Sequence, residues 1–413
     1  MMKKLFPLPF WFQITLLLLT VIVLRLVLAW IFGTEVADLA QYRWMAKIIL
    51  NNENIYKTAG LYHYTPIPMF LPAWSEQLAL AFKLPFHFVV KWPMILADAG
   101  IALLLWWQAQ KRCLPQIAIW IGLAFAINPV SLLTTSFHGS YSVLPAFFML
   151  LAYYLVSFLP VKQYYRLSGL SLGMAIGLRG YPALFLPFFL IKMDLSRRQK
   201  IVFLLLSVLP SAVTLTPFLL ANFQAVWQSV FAYSGVADYG WIAILRAIGE
   251  LTIGNRYLPG TLAKDLLGFS KWLFLILYLL LTILFWRKHN RFSLLSGILG
   301  TQLLFFGIYG GISSQYLVWA VPFALLIGTG WEKAFTWSAF ASMVSFYLYF
   351  FPAILFGDVP IQWQQLNPAV MPFYLAFNLA FWGICIAWLI RIITRPFPDI
   401  AISTHEGMYQ QQA

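Results

Sequence analysis

Residues 11–32, "WFQITLLLLTVIVLRLVLAWIF", form an apolar run that is interrupted by a single charge, Arg25. A helix of this length crosses a hydrocarbon core about 30 Å thick. Lys3 and Lys4 precede the run and no small-residue cleavage site follows it, so we expect a retained membrane span and not a removed signal peptide. Similar runs recur along the chain and predict an all-α polytopic membrane protein.

The composition supports the same class. The chain is 62% hydrophobic and 10% charged, whereas soluble domains carry about 25% charged residues. The apolar runs are continuous, which excludes a β-barrel with its alternating pattern. The net charge of +14 lies mainly in short loops such as "KR" 111–112, "SRRQK" 196–200 and "RKHNR" 287–291. This is the positive-inside pattern of membrane proteins and does not indicate nucleic-acid binding.

The basic loops predict about ten full crossings with both termini in the cytoplasm of a cell (plasma or inner) membrane. The predicted spans are 11–32, 86–107, 116–135, 142–160, 200–221, 270–286, 293–310, 315–330, 335–356 and 370–394. Two large extracytoplasmic loops, 33–85 and 222–269, lie between them. We expect residues 1–394 to form a single transmembrane domain and residues 395–413 a disordered cytoplasmic tail.

Residues 168–192 lie between basic segments and are too short for two crossings. "GLRGYP", 177–182, interrupts them with Gly and Pro, and we expect a re-entrant or half-length hairpin there. Arg25, Asp98 and Arg179 fall within the predicted membrane region, where an ionisable group costs at least a few kcal/mol unless it is paired or hydrated. These charges predict a polar cavity that opens outward. Arg179 is suited to a phosphate, and an ion pair with Asp98 is the alternative.

"GTEVADLAQY", 33–42, places two acids directly after the first span. The spacing predicts a short amphipathic helix with Glu35, Asp38 and Tyr42 on one face. A carboxylate there is a candidate general base. The alternative is that the two acids only complement the positive end of the helix dipole.

Other candidates lie in the first outer loop or at the outer ends of predicted spans. They are His63, Tyr64, Asn128, His138, Gln315 and Tyr316. For the aromatic residues, the alternative to substrate contact is anchoring at the membrane interface. For His138, the alternative is that it is simply solvated. No histidine pair has metal-ligand spacing, so no metal site is predicted.

Six motifs, taken in order, resemble the polytopic GT-C glycosyltransferases, especially the mannosyltransferase-like branch related to GPI-anchor mannosyltransferases and bacterial polyprenol-dependent enzymes. They are "EVADLAQY", "YHYTPIPMFLPAW", "KWPMILADAGIALLLW", "NPVSLLTTSFHGSYSVLPAFFMLLAYYL", "GLSLGMAIGLRGYPALFLPFFL" and "SSQYLVWAVPF". The resemblance covers most of residues 15–325. It implies a GT-C-like fold and transfer of a sugar, mannose or another hexose, from a polyprenyl-phosphate-linked donor to a lipid-linked or glycan hydroxyl acceptor on the extracytoplasmic face.

The resemblance also implies roles for particular residues. Asp38 matches the catalytic acid of the first outer loop, with Glu35 as its neighbour, and Arg179, with Arg25, would meet the donor phosphate. Tyr42, His63, Tyr64, Asn128, His138, Gln315 and Tyr316 would bind substrate. No cofactor is implied, and a divalent metal is not indicated. The chain departs from relatives that carry a paired acidic motif or "GQ-D" after the third span, because it has "HGSYS" at 138–142.

A transporter or lipid flippase is the main alternative, since buried charges and broken helices are also transporter features. The absence of an internal repeat and the two large outer loops favour the enzyme. A non-catalytic scaffold is a third possibility, for which the buried charges would have no use.

Overall fold

A computed structural model describes residues 9–32, 37–58, 62–111, 115–233, 235–253, 260–350 and 368–396. All regular secondary structure in these ranges is helical, with no strand. The helices are α1 Phe10–Ile31, α2 Ala37–Leu50, α3 Ile55–Thr58, α4 Phe70–Phe82, α5 Phe86–Val89, α6 Trp92–Lys111, α7 Pro115–Ala126, α8 Pro129–Leu132, α9 Val143–Ser157, α10 Val161–Leu178, α11 Leu186–Lys192, α12 Arg197–Val226, α13 Gly240–Ile253, α14 Gly260–Arg287, α15 Leu294–Ile308, α16 Val321–Leu325, α17 Trp331–Phe350 and α18 Met371–Thr394.

Irregular helical turns connect several of these elements. Segments of 3-10 helix lie at Ile67–Met69, Tyr181–Phe185, Ser314–Trp319 and Pro368–Val370, and π-helical turns at Leu133–His138 and Trp227–Phe231. The predicted base Glu35 and the predicted tail beyond residue 396 lie outside the described residues.

Within the described ranges, six helical stretches are long and apolar enough to cross a membrane, which indicates a multi-pass integral membrane protein. They are Phe10–Ile31, Phe86–Lys111, Ala118–His138, Arg197–Phe231, Asp265–Arg287 and Met371–Thr394. The expectation of ten full crossings is therefore not confirmed. Some predicted spans are shorter apolar helices, such as Val143–Ser157 and Leu294–Ile308. The predicted span 315–330 is divided between a 3-10 segment and α16.

The two segments predicted as large loops are also mainly helical where they are described. The first contains α2, α3 and α4, and the second contains the end of α12, all of α13 and the start of α14. The loop arrangement predicted from hydropathy is thus not confirmed, because amphipathic helices such as α2 carry enough polar residues to resemble loops. The side of the membrane on which each segment lies stays a prediction.

The predicted hairpin is broken where Gly and Pro indicate. Helix α10 ends at Leu178, Arg179 has an extended backbone (φ −152°, ψ 135°), and the 3-10 segment Tyr181–Phe185 leads into α11. Helix α10 packs closely on α12, since a Cβ added to Gly173 would lie 2.6 Å from the carbonyl oxygen of Leu206. Small residues allow such close approach of helices in membranes. This packing fixes the broken end of α10, and Arg179 with it, inside the protein.

Candidate active site

Asp38 lies in the first turn of α2, and its side chain is 20% exposed. Its Oδ2 atom is 2.9 Å from Nε2 of His138. An ionised carboxylate only accepts hydrogen bonds, so Nε2 of His138 donates. The two residues were separate candidates in the sequence, and the structure brings them together.

The turn after His138 explains how the imidazole reaches Asp38. The π-helical turn Leu133–His138 ends at Gly139, whose φ is +71°. The positive φ favours glycine, and a Cβ at position 139 would lie 2.8 Å from Cδ2 of Leu39, so the Leu39 side chain would have to shift. His138 is itself only 7% exposed. It is therefore not the solvated turn residue of the alternative interpretation.

The other ring nitrogen of His138 is also engaged. Its Nδ1 lies 2.6 Å from the hydroxyl oxygen of Tyr347, in α17. In a neutral ring that donates from Nε2, Nδ1 is an acceptor, so the Tyr347 hydroxyl donates to it. Tyr347 was not predicted, because it lies in the aromatic run "SFYLYF" of α17 with no polar neighbour to mark it.

Arg179 contacts two aromatic rings. Its guanidinium carbon lies 4.2 Å from the ring centroid of Tyr64 and 5.3 Å from that of Tyr316. Trp319 then stacks on Tyr316, with centroids 4.3 Å apart, and Tyr181 stacks on Trp319 at 3.5 Å. We call Tyr181, Trp319, Tyr316, Arg179 and Tyr64 the aromatic column. Cation–π contact with both rings restrains the guanidinium.

Gln315 connects the column to the Asp38 side of the site. Its Oε1 atom accepts from Nη2 of Arg179 at 3.4 Å and from the hydroxyl of Ser140. Burial raises the pKa of Asp38, but the charge that His138 carries when it is protonated, the hydrogen bond from His138, the charge of Arg179 and a hydrogen bond from Gln315 outweigh it. The net result is a lowered pKa, so Asp38 is ionised at neutral pH. A carboxylate base and a cation thus share one buried network.

A cavity of about 190 Å³ adjoins the column. It is lined by His63, Tyr64, Thr65, Arg179, Gly180, Tyr181, Val230, Tyr233, Gly235, Phe305, Tyr309, Gly311, Tyr316 and Trp319. His63 forms part of its wall: the imidazole stacks on Tyr233 with centroids 3.7 Å apart, and Nδ1 lies 3.0 Å from the carbonyl oxygen of Ser229. Desolvation lowers the pKa of His63, so its ring is neutral at physiological pH.

Asp238 is a second carboxylate near the site that was not predicted. Burial and, to a smaller extent, the charge of Asp38 raise its pKa to about 6, against the opposing charges of Arg246 and of protonated His138. Its backbone carbonyl accepts from the hydroxyl of Tyr374, and its amide donates to the carbonyl of Ile312 at 3.1 Å. In the sequence it was one of several acids in the second predicted loop, with nothing to distinguish it.

Two further predicted residues have mainly structural contacts. Asn128 is buried and caps α8, because its side-chain oxygen accepts from the amides of Val130 and Ser131. Tyr42 is buried, and its ring stacks on that of Tyr141 with centroids 4.4 Å apart. Of the two, Tyr42 lies closer to the site, since the charge of Asp38 contributes to its raised pKa. Substrate binding by either residue stays a prediction.

Arg25 is fully buried away from this network, and its nitrogens are engaged by protein groups. Nε lies 2.5 Å from Oδ2 of Asp98, Nη1 donates to the carbonyl of Ala126 at 2.7 Å, and Nη2 donates to Ser131 at 2.8 Å. The alternative in which Asp98 pairs with Arg179 is therefore wrong. Donor-phosphate binding by Arg25 stays a prediction that these contacts do not support.

Lys91 is also buried. It lies inside the predicted span 86–107, but it was not among the three charges predicted within the spans. Its Nζ atom donates to the carbonyl of Ser136 at 2.6 Å and to that of Phe32 at 3.0 Å. It thus joins the end of α1 to the π-helical turn that carries His138. For metals, no cluster of three or more His, Cys, Asp or Glu side chains is found in the part of the chain that the structure describes.

The chain also matches a known protein family. Residues 62–307, more than half of the chain, match the sequence model of Glycosyltransferase family 87. The matched segment includes Tyr64, His138 and Arg179, whereas Asp38 and Gln315 lie outside it. No curated protein matches the chain.

Proposed function

Because the chain belongs to glycosyltransferase family 87, a GT-C-like family of membrane glycosyltransferases, we propose that it transfers a hexose from a polyprenyl-phosphate donor to a hydroxyl group of a lipid-linked or glycan acceptor. A membrane enzyme of this kind in general uses a lipid-linked donor and acceptor in the membrane. Mannose is the hexose that we propose first, and the reaction would take place on the extracytoplasmic face.

One observation carries the assignment of roles: Asp38 and Arg179 belong to the same buried network around Gln315. Sugar transfer from a lipid phosphate needs a base for the acceptor and positive charge for the leaving phosphate. Asp38 is the proposed base and Arg179 the proposed donor-phosphate ligand. Support comes from the lowered pKa of Asp38 and from the fixed orientation of Arg179 between two rings.

In the proposed reaction, the acceptor oxygen attacks the anomeric carbon of the donor sugar. A new carbon–oxygen bond forms there while the bond between that carbon and the phosphate oxygen breaks. The acceptor proton passes to Asp38, and the electron pair leaves with polyprenyl phosphate, whose charge Arg179 stabilises. A single displacement of this kind inverts the anomeric configuration. The bond from His138 keeps Asp38 ionised and oriented before the acceptor arrives.

The test is sugar transfer in membranes that contain the protein, with a radiolabelled polyprenyl-phosphate mannose donor. Asp38→Asn should lower the turnover by about 10²–10⁴-fold, the usual contribution of a general base. Asp194→Asn is the matched control, because Asp194 is exposed and precedes α12, away from the network. Wild-type turnover by Asp38→Asn would remove Asp38 as the base.

A transporter or flippase for a lipid-linked or polar substrate is the second candidate. The interruption of helices at Arg179 and Gly139 favours it, since broken helices form substrate sites in transporters. The two functions differ in their products. A transporter moves the labelled lipid across a vesicle without forming a new glycosidic bond, whereas the transferase releases polyprenyl phosphate.

A further inference from the structure

An open groove of about 380 Å³ lies where α11 leads into α12, away from the proposed catalytic residues. Two of its described lining residues are cations, the other four are apolar, and none carries a carboxylate. They are Leu190, Leu195, Arg197, Lys200, Ile201 and Leu204. A groove that combines positive charge with apolar walls fits a ligand that has an anionic end and an apolar end.

The two kinds of side chain follow one another in a fixed order along α12. The groove residues on this helix have the spacing i, i+3, i+4 and i+7, which places them in one stripe on the helix surface. They are Arg197, Lys200, Ile201 and Leu204. The charged groups come first, at the start of the helix, and the apolar groups follow. A phospholipid has the same order, with a phosphate at one end and acyl chains at the other.

The side chains that would contact such a lipid are accessible. Arg197 is exposed and Lys200 is half-buried, while Ile201 is 50% and Leu204 39% exposed. Neither cation forms an ion pair with a carboxylate in the described part of the chain. Asp194, the nearest acid in the sequence, lines a different cavity. An anionic headgroup would therefore supply a counter-charge that these residues do not receive from the protein.

We propose that this groove binds an anionic phospholipid, with the phosphate between Arg197 and Lys200 and an acyl chain along Ile201 and Leu204. Guanidinium and ammonium groups both bind phosphate, and basic pockets between membrane helices bind anionic headgroups. A zwitterionic lipid is less suited to the groove, because its own ammonium group is repelled by the two cations. The groove should therefore select phosphatidylglycerol over phosphatidylcholine.

This lipid is distinct from the proposed sugar donor. Helices α10 and α12 pack side by side, and a Cβ added to Gly177 would lie 3.5 Å from Oγ of Ser211. Arg179 is two residues beyond Gly177, whereas Arg197 is fourteen positions before Ser211, about 21 Å along the helix. A donor phosphate at Arg179 therefore does not contact Arg197. The lipid site goes beyond the proposed function and does not depend on it.

Titration of the purified full-length protein with dioleoylphosphatidylglycerol, followed by native mass spectrometry, tests the proposal. Dioleoylphosphatidylcholine has the same chains without the net charge, and glycerol 1-phosphate has the anionic end without the chains. The wild type should bind phosphatidylglycerol at least tenfold more tightly than either. Equal affinity for the two lipids would overturn the selection of an anionic headgroup, and equal affinity for glycerol 1-phosphate would overturn a lipid as the ligand.

Arg197→Gln combined with Lys200→Gln should weaken phosphatidylglycerol binding by about thirtyfold, which corresponds to about 1 kcal/mol for each basic residue. Arg287→Gln combined with Lys288→Gln is the matched control, because it removes the same charge from exposed residues outside the groove. An equal loss in the control would attribute the binding to the general positive charge of the surface and would overturn the site.

Ile201→Trp tests the apolar wall and keeps both cations. The larger side chain should fill the groove and lower the affinity for phosphatidylglycerol at least tenfold. The melting temperature should not change, because Ile201 is half exposed. Leu205→Trp is the control, since Leu205 is 64% exposed on the same helix and does not line the groove. Unchanged affinity in Ile201→Trp would overturn the placement of an acyl chain in the groove.

Discussion

Nδ1 of His138 lies 2.6 Å from the hydroxyl oxygen of Tyr347. Because Nε2 of the same ring lies 2.9 Å from Asp38, a residue of α17 acts on the carboxylate through the imidazole. A hydroxyl that donates to Nδ1 holds the ring proton on Nε2, where Asp38 needs it. Tyr347 and His138 are therefore positioning residues in the proposed reaction.

Tyr347→Phe should lower kcat by about tenfold and leave the KM for the donor unchanged. Without the hydroxyl the ring proton is free to move to Nδ1, and Asp38 then loses a hydrogen bond to its charged form, worth about 1.5–3 kcal/mol. Its pKa should rise, so the acidic limb of the pH–rate profile should move to higher pH. Tyr164→Phe, near the start of α10, is the control. An acidic limb identical to that of the wild type would contradict the positioning role.

Replacements of His138 should lower kcat less when the new side chain keeps an N–H group that can donate to Asp38. His138→Gln keeps an N–H group that can reach Asp38, whereas His138→Ala has none. We therefore expect His138→Gln to retain more of the wild-type kcat than His138→Ala, measured at equal folded protein. Equal losses in the two variants would indicate that only the volume of the ring matters.

Arg25→Ala should destabilise the protein by about 3–5 kcal/mol, because it leaves the fully buried carboxylate of Asp98 without its partner. Replacing both residues together, Arg25→Met with Asp98→Leu, should recover much of that loss. Thermal unfolding in nanodiscs measures both effects. A direct role of Arg25 at the donor phosphate would instead raise the KM for the donor in a stable protein.

Gly139→Ala should destabilise the protein and also reduce turnover. The positive φ of residue 139 costs an L-residue about 1–2 kcal/mol, and the added Cβ would meet Leu39 at 2.8 Å. Since the strain acts on both α2 and the turn that carries His138, the contact with Asp38 should loosen. Gly383→Ala is the control, because nothing lies within 4 Å of a Cβ there. A melting temperature for Gly139→Ala equal to that of the control would contradict this account.

The KM for the donor should rise as the pH passes through about 6, where Asp238 ionises. Below that pH the carboxyl is neutral; above it, a negative charge acts on Tyr233 and Tyr316 in the cavity wall and repels an anionic donor. We expect an increase of about threefold, modest because charges in proteins interact as if the dielectric constant were about 20. Asp238→Asn should keep the low KM at every pH. A rise that persists in Asp238→Asn would assign it to another group.

Local signals in the sequence predicted part of the site. Gly and Pro in "GLRGYP" located the break at Arg179, and the acids after the first span located Asp38 at the start of α2. Both features depend on neighbouring residues, which a single sequence contains. The sequence could not show that the two features form one site, because that depends on packing between distant segments.

Distant partners account for most of what was missed. Tyr347 lies 209 positions from His138, and Arg25 lies 73 positions from Asp98. From the sequence, the only partner suggested for Asp98 was Arg179, and none was suggested for Tyr347. The count of ten crossings is not confirmed for a related reason: hydropathy does not distinguish a spanning helix from a short apolar helix that is buried in the protein.

The aromatic column also has a consequence for how the protein is made. The chain emerges from the ribosome N-terminus first, so Arg179 is synthesised 136 residues before Gln315. Until Tyr316 and Trp319 follow, the guanidinium has only Tyr64 of its ring partners. The site is thus completed late in biogenesis, and the intermediate that precedes it carries a half-partnered cation, which the insertion machinery must shelter.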